Sequence, residues 1–459
     1  MFGVLLVLLS VIVICVLIVK KFYPAWSLFV VGLVTVLIVA LVTGDPVATG
    51  KKATGFLGFD ILGIFSNLLT SRTGGLGMNI MIIGGFGYYM SKIGATSALV
   101  HVCTKPMSLI NSPYIIMVLG CVVGQCLNVV LGSAVGLAIL MMVTVYPLML
   151  SAGVSRQSAC ASVAMTGAFG LSPLGANNLM STKLTGIHVM NIFVDYQLVI
   201  APVVLVIICI VHYFVQRYFD KKDLASGHIT AADFVTKDLS EADKSEKAPA
   251  YYAIFPLVPL AFLFIFSPLV YDGIKLDIIT AVMASMIITF VIDCINRRNL
   301  KESFANIKVF FEGMGKIFSS TVVLIVCAEM FAAGLTRSGG IATLIDAASN
   351  FGGGYLIVYA VMFAIIGLST FVMGSGNAAF FSFAPMIPGI CQAVGGNAQW
   401  MLTGMQLSSG CIRSMSPISG CVIAISGLAN ISPFEIVRRT AIPMLTGFVC
   451  IFIMSSILA

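Results

Sequence analysis

Residues 114–150 read YIIMVLGCVVGQCLNVVLGSAVGLAILMMVTVYPLML, an uncharged run interrupted only by Gly132-Ser133-Ala134 at its centre. A helix crosses a bilayer with about 20 apolar residues. This run is too long for one crossing, so it is expected to hold two helical arms joined at a Gly-Ser tip. Similar apolar stretches recur along the 459 residues, of which 59% are hydrophobic and only 9% charged. Mean hydropathy is +1.07. Soluble chains are about a quarter charged, so this is the pattern of an all-α polytopic membrane protein. It excludes soluble enzymes, nucleic-acid binders and secreted disulfide scaffolds. A transmembrane barrel is excluded too, because its strands would alternate polar and apolar residues.

Working outward, hydropathy places spans at Phe2–Val19, Pro24–Gly44 and Gly74–Lys92, then the interrupted run, a broken span from 157 to 185 and a final span from Ile192 to Phe214. The first span, followed by Lys20 and Lys21, reads as retained rather than cleaved. A second half repeats the series from Tyr251, with its own tip at Gly374 to Ala378. Between them the charge-dense stretch Arg217–Lys247 reads as a solvated linker. The expected division is residues 1–215 as the first membrane repeat, 216–250 as a charged cytoplasmic linker, and 251–459 as the second repeat. The twelve cysteines lie mostly singly in apolar stretches with no C-x-x-C pair, and His101, His188, His212 and His228 show no ligand spacing. The thiols read as buried, the histidines as interfacial or linker residues, and no metal or other cofactor is expected.

Short motifs recur at nearly constant separation in the two halves. Lys92-Ile93-Gly94 pairs with Arg337-Ser338-Gly339, Gly132-Ser133 with Gly374-Ser375, and Ser172-Pro173 with Ser416-Pro417. Thr185-Gly186 likewise pairs with Ser426-Gly427, and Ala201-Pro202 with Ile442-Pro443. An internal duplication is the economical explanation. A hairpin that enters and turns back adds no net crossing, so each half crosses an odd number of times and the repeats are inverted. Of the 25 Lys and Arg, only Lys51, Lys52, Arg72, Lys183, Lys275 and Arg337 fall opposite the linker; Arg413 falls inside the core and the rest gather on the linker side. That bias predicts a cytoplasmic linker with both termini outside.

Irregular backbone at membrane depth is tolerated where protein buries it or it lines a wet cavity. Four such places pair across the repeats. The tips offer Gly132 and Ser133, and Gly374, Ser375, Gly376 and Asn377. The broken spans offer Ser172, Pro173, Asn177 and Asn178, and Arg413, Ser414, Ser416, Pro417 and Ser419. Gly permits tight turns and Pro ends a helix. The half-helix N-termini that follow suit a carboxylate, and Ser and Asn add neutral donors. Arg413, the only strong cation this reading leaves inside the core, carries a planar fork suited to a carboxylate. Packing against backbone carbonyls is its alternative role. Glu329, in the middle of a span, is a candidate for proton coupling if burial favours its neutral form; a packing role is equally open.

At these residues the chain resembles the anaerobic C4-dicarboxylate carrier family DcuC. The resemblance rests on Gly374-Ser375-Gly376-Asn377-Ala378-Ala379-Phe380, on Arg413-Ser414-Met415-Ser416-Pro417-Ile418-Ser419-Gly420 and on Ile431-Ser432-Pro433-Phe434-Glu435. It covers essentially the whole chain. It implies an elevator-type carrier of the ion transporter superfamily, with paired re-entrant hairpins and broken transmembrane helices. Implied with it are a bacterial inner-membrane location and exchange or proton-coupled movement of succinate, fumarate and malate-like acids. Expected partners are a small dicarboxylate, a proton or sodium ion, membrane lipid and a second copy in a homodimer; nucleic acid is not expected. The family often carries Thr, Ser and Asp after the first Pro, where Leu174, Gly175, Ala176 and Asn177 stand here. A carrier for another small organic anion, or an anion channel, is the alternative. A nucleotide-driven pump is not expected, since no G-x-x-x-x-G-K-[ST] loop or nucleotide domain occurs, and an intramembrane enzyme, the third reading, is weakened by the lack of a metal-ligand or acid–base constellation.

Overall fold

Backbone amides in hydrocarbon must be satisfied within their own segment, and helices achieve this. The computed structural model describes residues 2–20, 22–48, 53–105, 107, 110, 112–230, 233, 248–271, 273–340 and 354–459; no strand occurs among them. Nine helical stretches among these residues are long and apolar enough to cross a bilayer.

The first half runs α1 (Phe2–Val19), α2 (Pro24–Thr43), α3 (Leu57–Arg72), α4 (Met78–Lys92), α5 (Ala95–Thr104), α6 (Pro113–Val130), α7 (Ala134–Ser151), α8 (Arg156–Met165), α9 (Ala176–Thr185) and α10 (Leu198–Ala225). The second runs α11 (Val258–Ile265), α12 (Ile278–Arg297), α13 (Leu300–Ile317), α14 (Val323–Arg337), α15 (Gly354–Met373), α16 (Gly376–Phe383), α17 (Ile387–Val394), α18 (Ala398–Ser414), α19 (Gly420–Ala429) and α20 (Pro433–Leu458). Details recur as well as order. A π-helical turn, Thr73–Gly77, joins α3 to α4, and another, Phe318–Val322, joins α13 to α14. Left-handed residues follow matched helices, Gly186 after α9 and Asn430 after α19, so Gly186 aligns with Asn430 and not with Gly427 as the sequence pairing had it, and Gly427 aligns with Lys183.

The halves interlock. α14 packs against α2 and α3, while α4 packs against α12 and α13. α2 and α14 approach so closely that a Cβ on Gly32 would sit 2.6 Å from the Phe331 amide nitrogen; small residues are what permit such contact between membrane helices. Elsewhere α20 packs against α8, α10 and α18.

Two expectations change. The third span was expected to begin at Gly74, yet helix starts at Leu57 and runs through the π turn, which puts Arg72 in a helix rather than a loop. The charged stretch after residue 216 was expected to be solvated, but α10 continues to Ala225 and buries Gln216, Asp220 and Asp223. Charged residues are tolerated there because they find partners inside the protein. Most of the remaining linker, 231–232 and 234–247, lies outside the described residues, as do Lys21, Lys51 and Lys52.

Candidate functional site

Both tips start a helix in the same way. Ser133 Oγ accepts from the Gly136 N–H at 3.2 Å, and Ser375 Oγ accepts from the Ala378 N–H at 3.3 Å. Each satisfies an amide that a helix start would otherwise orphan. Gly374 is held at φ 65°, and a Cβ there would lie 2.7 Å from the Ile418 carbonyl oxygen. Only glycine meets both conditions.

The tips are tied to the broken spans. Asn128, near the end of α6, accepts from the Leu171 N–H at 3.1 Å and donates to the Leu131 carbonyl at 3.4 Å. Gly132 faces Ser172, whose Oγ lies 3.9 Å from where its Cβ would be. In the second half Ser416 Oγ donates to the Phe371 carbonyl at 2.7 Å, and Gly376 lies against Ser409. The two breaks also meet across the halves. Gly420, at the start of α19, lies against Val135 beside the first tip. Arg413 Nη2 donates to the Gly167 carbonyl, next to Ala134, and Gln406 donates to the Gly170 carbonyl at 3.2 Å. Finally, α16 packs on α9. All four breaks therefore fall in one connected region.

Within it Ser172, Pro173, Asn178, Gly374, Gly376, Ser414, Ser416 and Ser419 are buried, while Asn177, Ser375, Asn377, Arg413 and Pro417 are half-buried; Gly132 and Ser133 are exposed. Asn178 is spent on structure, donating to the Ser172 carbonyl at 2.9 Å and accepting from Gln197 at 2.8 Å. Four other polar atoms are buried without a protein partner: Asn177 Oδ1, Gln406 Oε1, Ser419 Oγ and Arg413 Nε. Buried polar atoms are normally paired, so these are available to something else. Arg413 is thus divided between a carbonyl and an unused donor.

Arg413 is not the sole embedded cation that the sequence suggested. Arg72 Nε donates to Glu329 Oε2 at 2.5 Å, and Glu329 is buried. Arg439 is fully buried, with Nη1 on Asp220 and Nη2 on Asp223, both at 2.6 Å. Ser155 donates to Asp220 at 2.7 Å, Ser158 bridges Asp220 and Arg439, and Arg438 pairs with Asp223. His212, expected at an interface or in the linker, is buried beside Gln216 in this network. One signal for it stood in the sequence: Asp220 and Asp223 fall three residues apart, on one face of any helix that continues past Phe214.

A family model described as C4-dicarboxylate anaerobic carrier, DcuC, matches residues 2–459. A protein of Escherichia coli (strain K12) named anaerobic C4-dicarboxylate transporter DcuC is 34% identical over 444 residues, covering 96% of this chain and 93% of that protein. A relative in Vibrio cholerae with the same family name is 35% identical over 443 residues, covering 96% and 94%. Among solved structures, MtrF of Neisseria gonorrhoeae, from work on antimetabolite efflux pumps, superposes with a TM-score of 0.58 at 14% identity and covers 94% of each chain. That last likeness concerns the fold.

Proposed function

The chain belongs to the DcuC family of C4-dicarboxylate anaerobic carriers, and from that premise we propose that the four helix breaks form its substrate site. The protein is a multi-pass transporter of the bacterial inner membrane that carries C4-dicarboxylates. The observation that carries the site assignment is the meeting of both tips and both broken spans, with unpartnered Asn177, Gln406, Ser419 and Arg413 atoms among them.

In this reading the guanidinium of Arg413 faces one carboxylate, and half-helix amides with the Ser and Asn side chains face the other. A dianion in a low-dielectric site needs such compensation, because an unpaired charge there costs several kcal/mol. The charge left over is offset by a co-transported cation, proton or sodium, or by exchange against a second dianion. Glu329 is paired with Arg72 and serves first as its counter-ion. The recurrence of helix order, π turns and caps supports two repeats, each with a re-entrant hairpin and a broken helix. An odd number of crossings per half then makes them inverted, and alternating access moves the site between the two faces.

Purified protein in proteoliposomes tests this. Labelled succinate should enter faster when unlabelled succinate is trapped inside, as a carrier requires and a channel does not. Asn377→Ala and Ser419→Ala should weaken substrate binding by about 0.5–1.5 kcal/mol each. Unchanged affinity in both would remove the basis for the site.

A further inference from the structure

A second cluster of charge lies away from the helix breaks, where α3 enters its π turn. Arg72 is bound to Glu329 at 2.5 Å, with side-chain exposures of 25% and 5%. The other carboxylate oxygen, Glu329 Oε1, is buried without a partner. Lys183, exposed on α9, lies within electrostatic reach of both. The trio carries one positive charge in excess. On the two elements that flank it, the π turn and α9, the hydroxyls of Thr73, Ser181 and Thr182 are also buried without partners. A guanidinium and an ammonium in excess over one carboxylate are the groups that answer a second carboxylate.

Comparison with the other half shows what the charges are not for. The juncture matched to Arg72 and Glu329 is Ile317 against Gly84, where the Ile317 side chain lies 2.4 Å from a Cβ built on Gly84. The position matched to Lys183 is Gly427, which borders open space. Hydrocarbon alone closes the same joint there, so an ion pair is not needed to hold it.

We propose that Arg72, Lys183 and Glu329 form a second anion site, at which one carboxylate of a small dicarboxylate docks before it enters the site at the breaks. Glu329 holds Arg72 through Nε, and the arriving carboxylate shares the guanidinium with it. Lys183 lies six residues along α9 from Asn177, about 9 Å at the helical rise, so the two sites are one short step apart. Because only one half carries the trio, docking belongs to one face of the membrane. This inference rests on the transport reading above.

The test is succinate exchange in proteoliposomes at low and high salt. Lys183→Gln should raise KM about tenfold at low salt with kcat retained, and the difference should shrink at high salt. Lys183→Arg should restore the parent KM. Glu329→Gln, which frees Arg72, should lower KM. An unchanged KM in Lys183→Gln, or a raised KM in Glu329→Gln, overturns the second site. If that happens while Asn377→Ala still weakens exchange, the site at the breaks stands and only the docking site falls. If the parent exchanges no dicarboxylate, both fall.

Discussion

Arg413 and Arg439 answer the cost of a buried guanidinium in opposite ways. Arg439 has two carboxylates within hydrogen-bond distance and a serine besides. Removing one member of such a network leaves an uncompensated charge, which typically costs 3–5 kcal/mol. Arg439→Gln should therefore lower stability by roughly that amount, seen as an earlier unfolding transition in detergent and reduced yield. Arg413 holds one carbonyl and keeps Nε free. Its substitution should leave stability nearly intact and strike transport instead. Arg413→Lys keeps the charge without the planar fork and should raise the KM for succinate; Arg413→Gln should almost abolish exchange. A well-folded Arg413→Gln protein that exchanges at the parent rate would refute this role. The difference between the two was hidden in sequence. Arg413 stands beside Ser and Pro in an apolar stretch and looks embedded, whereas Arg439 looks like half of a basic pair at a helix start. Its burial depends on Asp220 and Asp223, more than two hundred residues earlier, and local patterning carries no trace of such a partner.

At the scale of elements, helices and breaks were legible because both are local. Uninterrupted Val, Leu and Ile declare a span, and Gly-Ser or Ser-Pro within it declares a break. The extent of α3 was not legible, since Asp60 and Arg72 interrupt its apolar run and its exposed residues are mixed. The tip elements also differ in tolerance. Gly374 combines a left-handed backbone with contact against the carbonyl of Ile418, whereas Gly132 has neither a positive φ nor an atom closer than Ser172 Oγ at 3.9 Å. Gly374→Ala should accordingly displace the second tip from its broken span. Exchange should fall by an order of magnitude or more, since a shift of about 1 Å at a binding site can cost two decades, while Gly132→Ala stays near the parent rate. Equal loss in both variants would contradict this asymmetry.

At the scale of the whole molecule, membrane orientation follows from charge. The Lys and Arg residues concentrate around the linker, which is expected in the cytoplasm. Ser240 lies outside the described residues, but its side of the membrane is testable. A single cysteine placed there, in a chain lacking the native cysteines, should resist an impermeant thiol reagent applied to intact cells and react once the membrane is opened. Immediate labelling of intact cells would reverse the orientation. What sequence could not supply at this scale was the reciprocal packing, α14 with α2 and α3 against α4 with α12 and α13, because a contact between distant helices leaves no local pattern. Of the three π-helical segments among the described residues, the two at this matched juncture carry a historical consequence. A π-helical turn holds about one residue more than the α-helical turn it replaces, and both halves have one at the same juncture. Their residues, Thr73-Gly74-Gly75-Leu76-Gly77 and Phe318-Ser319-Ser320-Thr321-Val322, agree at no position. Under the proposed duplication the ancestral half already carried the inserted residue, and its descendants kept the insertion while replacing every side chain in it. On that reading, what the two halves share at this juncture is a count of residues and not any side chain.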